Sequence, residues 1–164
     1  MNFEVGETLV YPHHGAVTIT RVQDRAVKGV EKTFITLRVH ASDLVISLPT
    51  ESAELVGMRD VIDEAGIEAV FGVLRAEIVE EPGNWSRRFK ANTEKMASGD
   101  VYRVAEVVRD LWRREQQGGV SAGEKRMLLK AQQVLVAELA LAADSSDAEA
   151  SARLETVLQT APVE

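Results

Sequence analysis

GDVYRVAEVVRDLWRREQQGG, residues 99–119, decides what kind of fold this chain can have. Val101, Val104, Ala105, Val108, Leu111 and Trp112 recur at spacings of three and four. That period puts them on one stripe of an α-helix, and a stripe of this kind has to be buried, so Trp112 reads as a core residue. Gly118 and Gly119 supply the stop. Next, SAGEKRMLLKAQQVLVAELALA, residues 121–142, opens with Ser121 three positions before Glu124, the spacing of a capping box. Its apolar period runs through Met127, Leu128, Ala131, Val134, Leu135 and Leu139. A last helix follows the DSSD break at 144–147, with Ala152, Val157 and Leu158 on one side. The C-terminal half therefore reads as a small helical bundle.

Upstream the period is two. ETLVYP (7–12), GAVTITRVQD (15–24), KTFITLRVH (32–40) and LVISLP (44–49) alternate and are rich in β-branched residues. PHHG (12–15), RAVKGVE (25–31) and ASD (41–43) separate them. Four short strands at this spacing predict a small antiparallel barrel or strongly bent sheet. A unit of that size is marginal alone, so a helix should complete its core. PTESAELVG (49–57) and RDVIDEAGIEAVFGVLR (59–75) are the candidates, the second carrying Val61, Ile62, Val70, Phe71 and Leu74 at broadly helical spacing. The expected fold is α+β: a β unit over residues 1–75, a linker over 76–84 marked by Pro82 and Gly83, and a helical domain over 85–164.

Composition narrows the function classes. With 45% hydrophobic and 27% charged residues the chain is of soluble globular type. It has no run of eighteen apolar residues, and MNFEVGETLV lacks the basic head and apolar stretch of a signal peptide, so a cytoplasmic protein without a membrane partner is expected. The absence of cysteine excludes disulfides, thiolate metal sites and a cysteine nucleophile. His13 and His14 beside Tyr11 sit in a turn and point in different directions, and His40 has no carboxylate at ligand spacing. Phosphate-loop, GxSxG and HExxH motifs are all missing. No metal, cofactor or enzymatic activity is expected.

Charge is unevenly distributed. The net −7 of the whole chain conceals a basic middle: residues 84–130 hold 11 Lys and Arg against 6 Asp and Glu, whereas residues 1–83 hold 7 against 14 and residues 131–164 hold 1 against 6. Arg103, Arg109, Arg113 and Arg114 have acids three or four positions away, with Glu106 expected to pair with Arg109, and Asp110 with Arg113 or Arg114. Arg87, Arg88 and Lys90 are less evenly matched, and with Lys95, Lys125, Arg126 and Lys130 they outline a basic face. Trp85 stands among these cations, after a Pro-Gly turn and with no apolar face in the residues before it. Two readings of it stay open: a packing anchor for the linker, or an apolar wedge or stacking platform at a nucleic acid whose phosphates the cations hold.

VGETLVYPHHGA (5–16), LPTESAELVGMRDV (48–61), NWSRRFKANTEKMASGD (84–100), VAEVVRDLWRRE (104–115) and residues 121–142, in this order, resemble the CarD/CdnL family of bacterial transcription regulators, and most of all its actinobacterial branch. The resemblance covers almost the whole chain. It implies a Tudor-like N-terminal domain that docks by a strand edge on the β subunit of RNA polymerase, in holoenzyme with the housekeeping sigma factor. It further implies a C-terminal domain lying on promoter DNA at the upstream edge of the melted bubble. Trp85 would wedge into the distorted minor groove, with Arg87, Lys90 and Lys125 on the backbone and Arg88 and Arg114 beside them. Arg25 and Val27 would contact polymerase together with Ser47, a position where family members often carry arginine. A monomer is expected. Two rivals follow from the residues alone: a sequence-specific repressor, which needs a recognition helix with base-reading side chains, and a small enzyme built on Tyr11, His13 and His14.

Overall fold

The computed structural model describes residues 2–77 and 83–160. Among them five strands form one antiparallel sheet: β1 (Thr8–Tyr11), β2 (Gly15–Val27), β3 (Val30–Val39), β4 (Val45–Pro49) and β5 (Arg59–Asp60), in the order β4-β3-β2-β1-β5. The α+β expectation holds. RAVKGVE, read as a separator, is instead mostly strand, because the reversal needs only Lys28 and Gly29. Their φ values of 51° and 78° are those of a two-residue type I′ turn, which matches strand twist and lets pairing run to Val27↔Val30. A register shift between Ile19 and Arg21 divides the long hairpin. Ile19, Ile35 and Leu37 are buried at its base, while residues 24–31 are exposed at its tip. The fifth strand, two residues long, lies below what an alternation pattern can signal.

One core belongs to the sheet: Leu9, Val17, Ile19, Ile35, Leu37, Val39 and Leu48, closed by Ala53 of α1 (Thr50–Leu55) and by Met58. PTESAELVG therefore completes the sheet. α2 (Glu64–Arg75) does not, since Ile67, Val70, Phe71 and Leu74 lie in a second, separate core with α4 (Val101–Gln116), α5 (Ala122–Ala142) and α6 (Asp147–Gln159). The β unit expected over 1–75 thus gives up α2 to the helical unit, and most of the expected linker falls outside the described residues. α3 (Trp85–Ala97) packs along α4.

Local signals in the helices act as their chemistry dictates. Ser121 and Glu124 form the capping box of α5, and Ser146 and Glu149 form another at α6. In α6 the buried side is Ala150, Leu154, Val157 and Leu158, with Ala152 exposed. Trp112 packs against the helical core from its margin, partly buried. The ion pairs on α4 differ from the expected set. Glu106 pairs with Lys95 at 3.1 Å and lies 3.9 Å from Arg103, and Asp110 binds Arg109 at 2.7 Å. Arg109 and Arg113 then donate to the carbonyls of Val73, Leu74 and Ala76, where unsatisfied carbonyls at the α2 C-terminus attract cations.

Candidate functional site

Trp85 is the first residue of α3, placed there by Asn84, whose side chain accepts from the Arg87 backbone N–H at 2.8 Å. One helical turn further on is Phe89, and the two rings stack with centroids 4.9 Å apart and planes 17° from parallel. The indole Nε1–H donates to Ser121 Oγ at 3.0 Å. The first turn of α5 packs against Phe89 as well, for a Cβ at Gly123 would lie 3.5 Å from Phe89 Cε1. Trp85 is still 45% exposed. It is therefore an oriented, half-covered aromatic, and the apolar neighbour missing upstream in sequence is Phe89 at i+4, on the same helix face.

Ser121 joins this aromatic pair to a buried polar chain. Its hydroxyl bonds Glu124 Oε1 at 3.2 Å, and Glu124 Oε2 accepts from Arg88 Nε at 2.9 Å. Arg88 is 8% exposed and Glu124 1%. Burial pushes the Glu124 carboxyl up, but the bonds from Arg88 and Ser121 outweigh it and hold the group below the usual carboxylate range. Arg88, expected on DNA, is buried and holds Glu124 through its Nε, and removing it would strand a buried carboxylate at a cost of about 3 to 5 kcal/mol.

Arg87 and Lys90 of α3 and Lys125 and Arg126 of α5 remain exposed, and among the described residues none has an acid within ion-pair distance. Short turns between α3, α4 and α5 fold these helices back on one another, so the start of α3, the end of α4 and the start of α5 share one end of the bundle. Arg114 is half-buried at this end, beside the turn where Gly119 N–H donates to its carbonyl at 3.0 Å. Lys95 is held by Glu106, and Lys130 lies close enough to His14 to lower its pKa, so neither joins this group.

On the sheet, Arg25, Val27 and Ser47 share one face. Arg25 and Val27 are two apart on β2, and Ser47 pairs with Thr36, which pairs with Arg21. Arg25 lies over the Phe34 ring at 4.8 Å. Val27 and Val30 pair at the hairpin tip, 38% and 58% exposed, and Val45 is 64% exposed on the same face of the edge strand. β4 is an edge strand, so its outer backbone groups are open to pairing.

The histidine turn is structural in its contacts. His14 N–H donates to the Tyr11 carbonyl at 2.9 Å, and the two rings meet edge to face at 5.2 Å. Desolvation, with help from Lys130 and His13, lowers the His14 pKa. Among the described residues no cluster of three or more acids and histidines could hold a metal ion, and no helix is long and apolar enough to cross a membrane.

Comparison with known proteins meets this division of the chain. Residues 3–62 match the family model described as the CarD-like/TRCF RID domain, and residues 69–155 match the one described as the CarD C-terminal domain. The chain belongs to the CarD family. The two CarD matches part between residues 62 and 69, where the structure passes from the sheet core to the helical core, and α2 falls largely on the C-terminal side. A relative named "Putative transcription factor YdeB" in Bacillus subtilis (strain 168) is 29% identical over 137 residues, covering 84% of this chain and 90% of that protein.

Proposed function

We propose that this protein is a non-enzymatic cytoplasmic transcription regulator that binds the β subunit of RNA polymerase through its sheet and prolongs the promoter open complex through the Trp85 end of its bundle. The carrying observation is an exposed indole, already oriented by Phe89 and Ser121, near Arg87, Lys90 and Lys125, which among the described residues have no acid within ion-pair distance. Apolar wedges at minor-groove steps unstack bases at a cost of a few kcal/mol, and an aromatic that fills the gap recovers about 1 to 3 kcal/mol per base. A group that fits only distorted DNA shifts the closed-to-open equilibrium by its differential affinity. Here the indole edge and outer face would enter the step while Arg87, Lys90, Lys125 and Arg114 hold phosphates. No sequence readout is required.

The sheet supports the other half of the reading. Arg25 and Val27 on the hairpin and Ser47 on the open edge strand would meet the polymerase lobe, with backbone pairing along β4 giving affinity and side chains giving selectivity. Pull-down of the tagged full chain with RNA polymerase, followed by promoter-bubble decay with and without the protein, tests both halves. The expected result is capture through the β subunit and a bubble lifetime extended about tenfold. Tight sequence-selective binding to duplex DNA without polymerase would instead favour a repressor.

A further inference from the structure

Sheet and bundle have separate apolar cores, and the seam between them is lined by Val10, Met96 and Val134 together with Arg59 and Glu138. Contacts such as Val134 on Gly15 and Pro12 on Gly99 line the seam. At its centre is a polar assembly. Arg59 Nη1 and Nη2 donate to both oxygens of Glu138 at 2.8 and 2.9 Å, and Arg59 Nε donates to the Gly99 carbonyl at 2.8 Å. The Ile62 backbone N–H donates to Glu138 Oε2 at 3.1 Å. Glu138, on α5, is 2% exposed.

These bonds tie four pieces of chain at one point: β5 at the sheet edge, the approach to α2, the turn between α3 and α4, and the C-terminal part of α5. Two domains joined by a modest seam move relative to one another by default. A forked guanidinium on a carboxylate resists this because both of its bonds are directional. A buried pair contributes little net stability against apolar side chains of similar size, so what it adds is geometry. We propose that the Arg59–Glu138 clamp sets the orientation of the polymerase-docking face relative to the Trp85 end, and that Glu138 is a positioning residue for promoter opening. This rests on the function proposed above. Once the sheet is anchored on polymerase, Trp85 reaches a DNA step only over a narrow range of angles, and a loosened seam dilutes its effective concentration there.

The test uses the full chain with Arg59→Met and Glu138→Met combined, which removes both charges together, and Arg59→Lys, which keeps the charge without the fork. Because the chain has no cysteine, Glu31→Cys on the hairpin and Gln117→Cys at the bundle accept spin labels with no competing thiol. Pulsed EPR should give one narrow distance distribution for the clamped protein and one at least twofold broader for both variants, with unfolding midpoints close to the parent's. Polymerase capture should be unchanged and bubble lifetime should fall about tenfold. An unchanged distance distribution in the folded double variant overturns the clamp. A broadened distribution with unchanged bubble lifetime overturns the positioning role. If the parent itself neither captures polymerase nor prolongs the bubble, the proposed function fails, while the distance measurement still judges the clamp.

Discussion

Trp85→Ala removes the aromatic surface on which the proposed mechanism depends, and the structure fixes what else it removes. One hydrogen bond to Ser121 goes, in a part-exposed setting worth about 0.5 to 1 kcal/mol, and with it the stack on Phe89, worth about 0.5 to 1.5 kcal/mol. The expected loss of folding stability is about 1 to 2.5 kcal/mol, or roughly 2 to 10 °C in Tm for a chain of this size. That exceeds what an indole with no neighbours would give and stays below the roughly 3 to 5 kcal/mol of truncating a fully buried aromatic. On the promoter, losing about 1 to 3 kcal/mol of differential binding is enough to remove most or all of the roughly tenfold extension, so bubble lifetime should fall about 5- to 10-fold, towards that of the protein-free complex. Trp85→Phe separates the effects, since it deletes the indole N–H and keeps a ring to stack. The assay is bubble decay at saturating protein, alongside thermal unfolding and polymerase pull-down of each variant. A Tm drop above about 10 °C with normal bubble lifetime per folded molecule would refute the wedge and make Trp85 a packing residue.

Neighbouring arginines on α3 should behave in opposite ways. Arg88→Ala leaves Glu124 buried and unpaired and should cost about 3 to 5 kcal/mol in denaturant unfolding. Arg87→Ala should cost under about 0.5 kcal/mol, yet lower the slope of log affinity against log salt by about 0.9 in DNA titrations. Residues 1–62 should fold and capture polymerase, with Arg25→Glu weakening that capture most at low salt. A fragment cut at residue 75 should aggregate, because it exposes the α2 face that the helical core covers. Acid should destabilise the fold in two stages. Desolvation, along with the Arg38 charge, lowers the His40 pKa, and His14 is lowered likewise, so the unfolded chain takes up protons first and stability falls as pH drops below about 6.5. Glu124, held below its ordinary value of 4.5, contributes stability that is present above that value and lost as pH falls through its folded pKa. Denaturant midpoints from pH 8 to 3 should show both stages, and Glu124→Gln should flatten the second.

How much of this was readable in the sequence varies with the reach of the signal. Period two and the three-four period are local, so the strands, α4, α5 and the Ser121–Glu124 cap followed from neighbours within a turn or a pleat. Assigning α2 did not, because Val70, Phe71 and Leu74 announce a buried face without saying which core buries it. Arg88 shows the same limit. Beside Arg87 it is one more cation, and only the fold brings Glu124, 36 positions away, within 2.9 Å of it. Phe89 was within reach as the i+4 neighbour of Trp85. The Arg59–Glu138 clamp, spanning 79 positions, left no local trace.

An acidic protein proposed to act on DNA has to resolve an electrostatic conflict, and the layout of this chain offers a way. Phosphate contacts ordinarily dominate affinity, and a net −7 works against them at long range. Screening confines fields to about 8 to 10 Å at physiological salt, so Arg87, Lys90 and Lys125 act locally at one end of the bundle while the acidic sheet and α6 act elsewhere. Under the proposed function, free binding to duplex is then expected to be weak at any sequence. In the proposed function, tethering through the sheet would replace the missing affinity with effective concentration at promoters where polymerase is already seated. The same arithmetic explains why a rigid seam would matter: effective concentration helps only if the anchored molecule presents Trp85 to the step that opens. A variant with extra lysines on the acidic face should therefore bind free duplex more tightly while losing, in mixtures with excess non-promoter DNA, its share of promoter complexes. If excess duplex left that share unchanged, weak intrinsic binding would not be what directs the protein to polymerase.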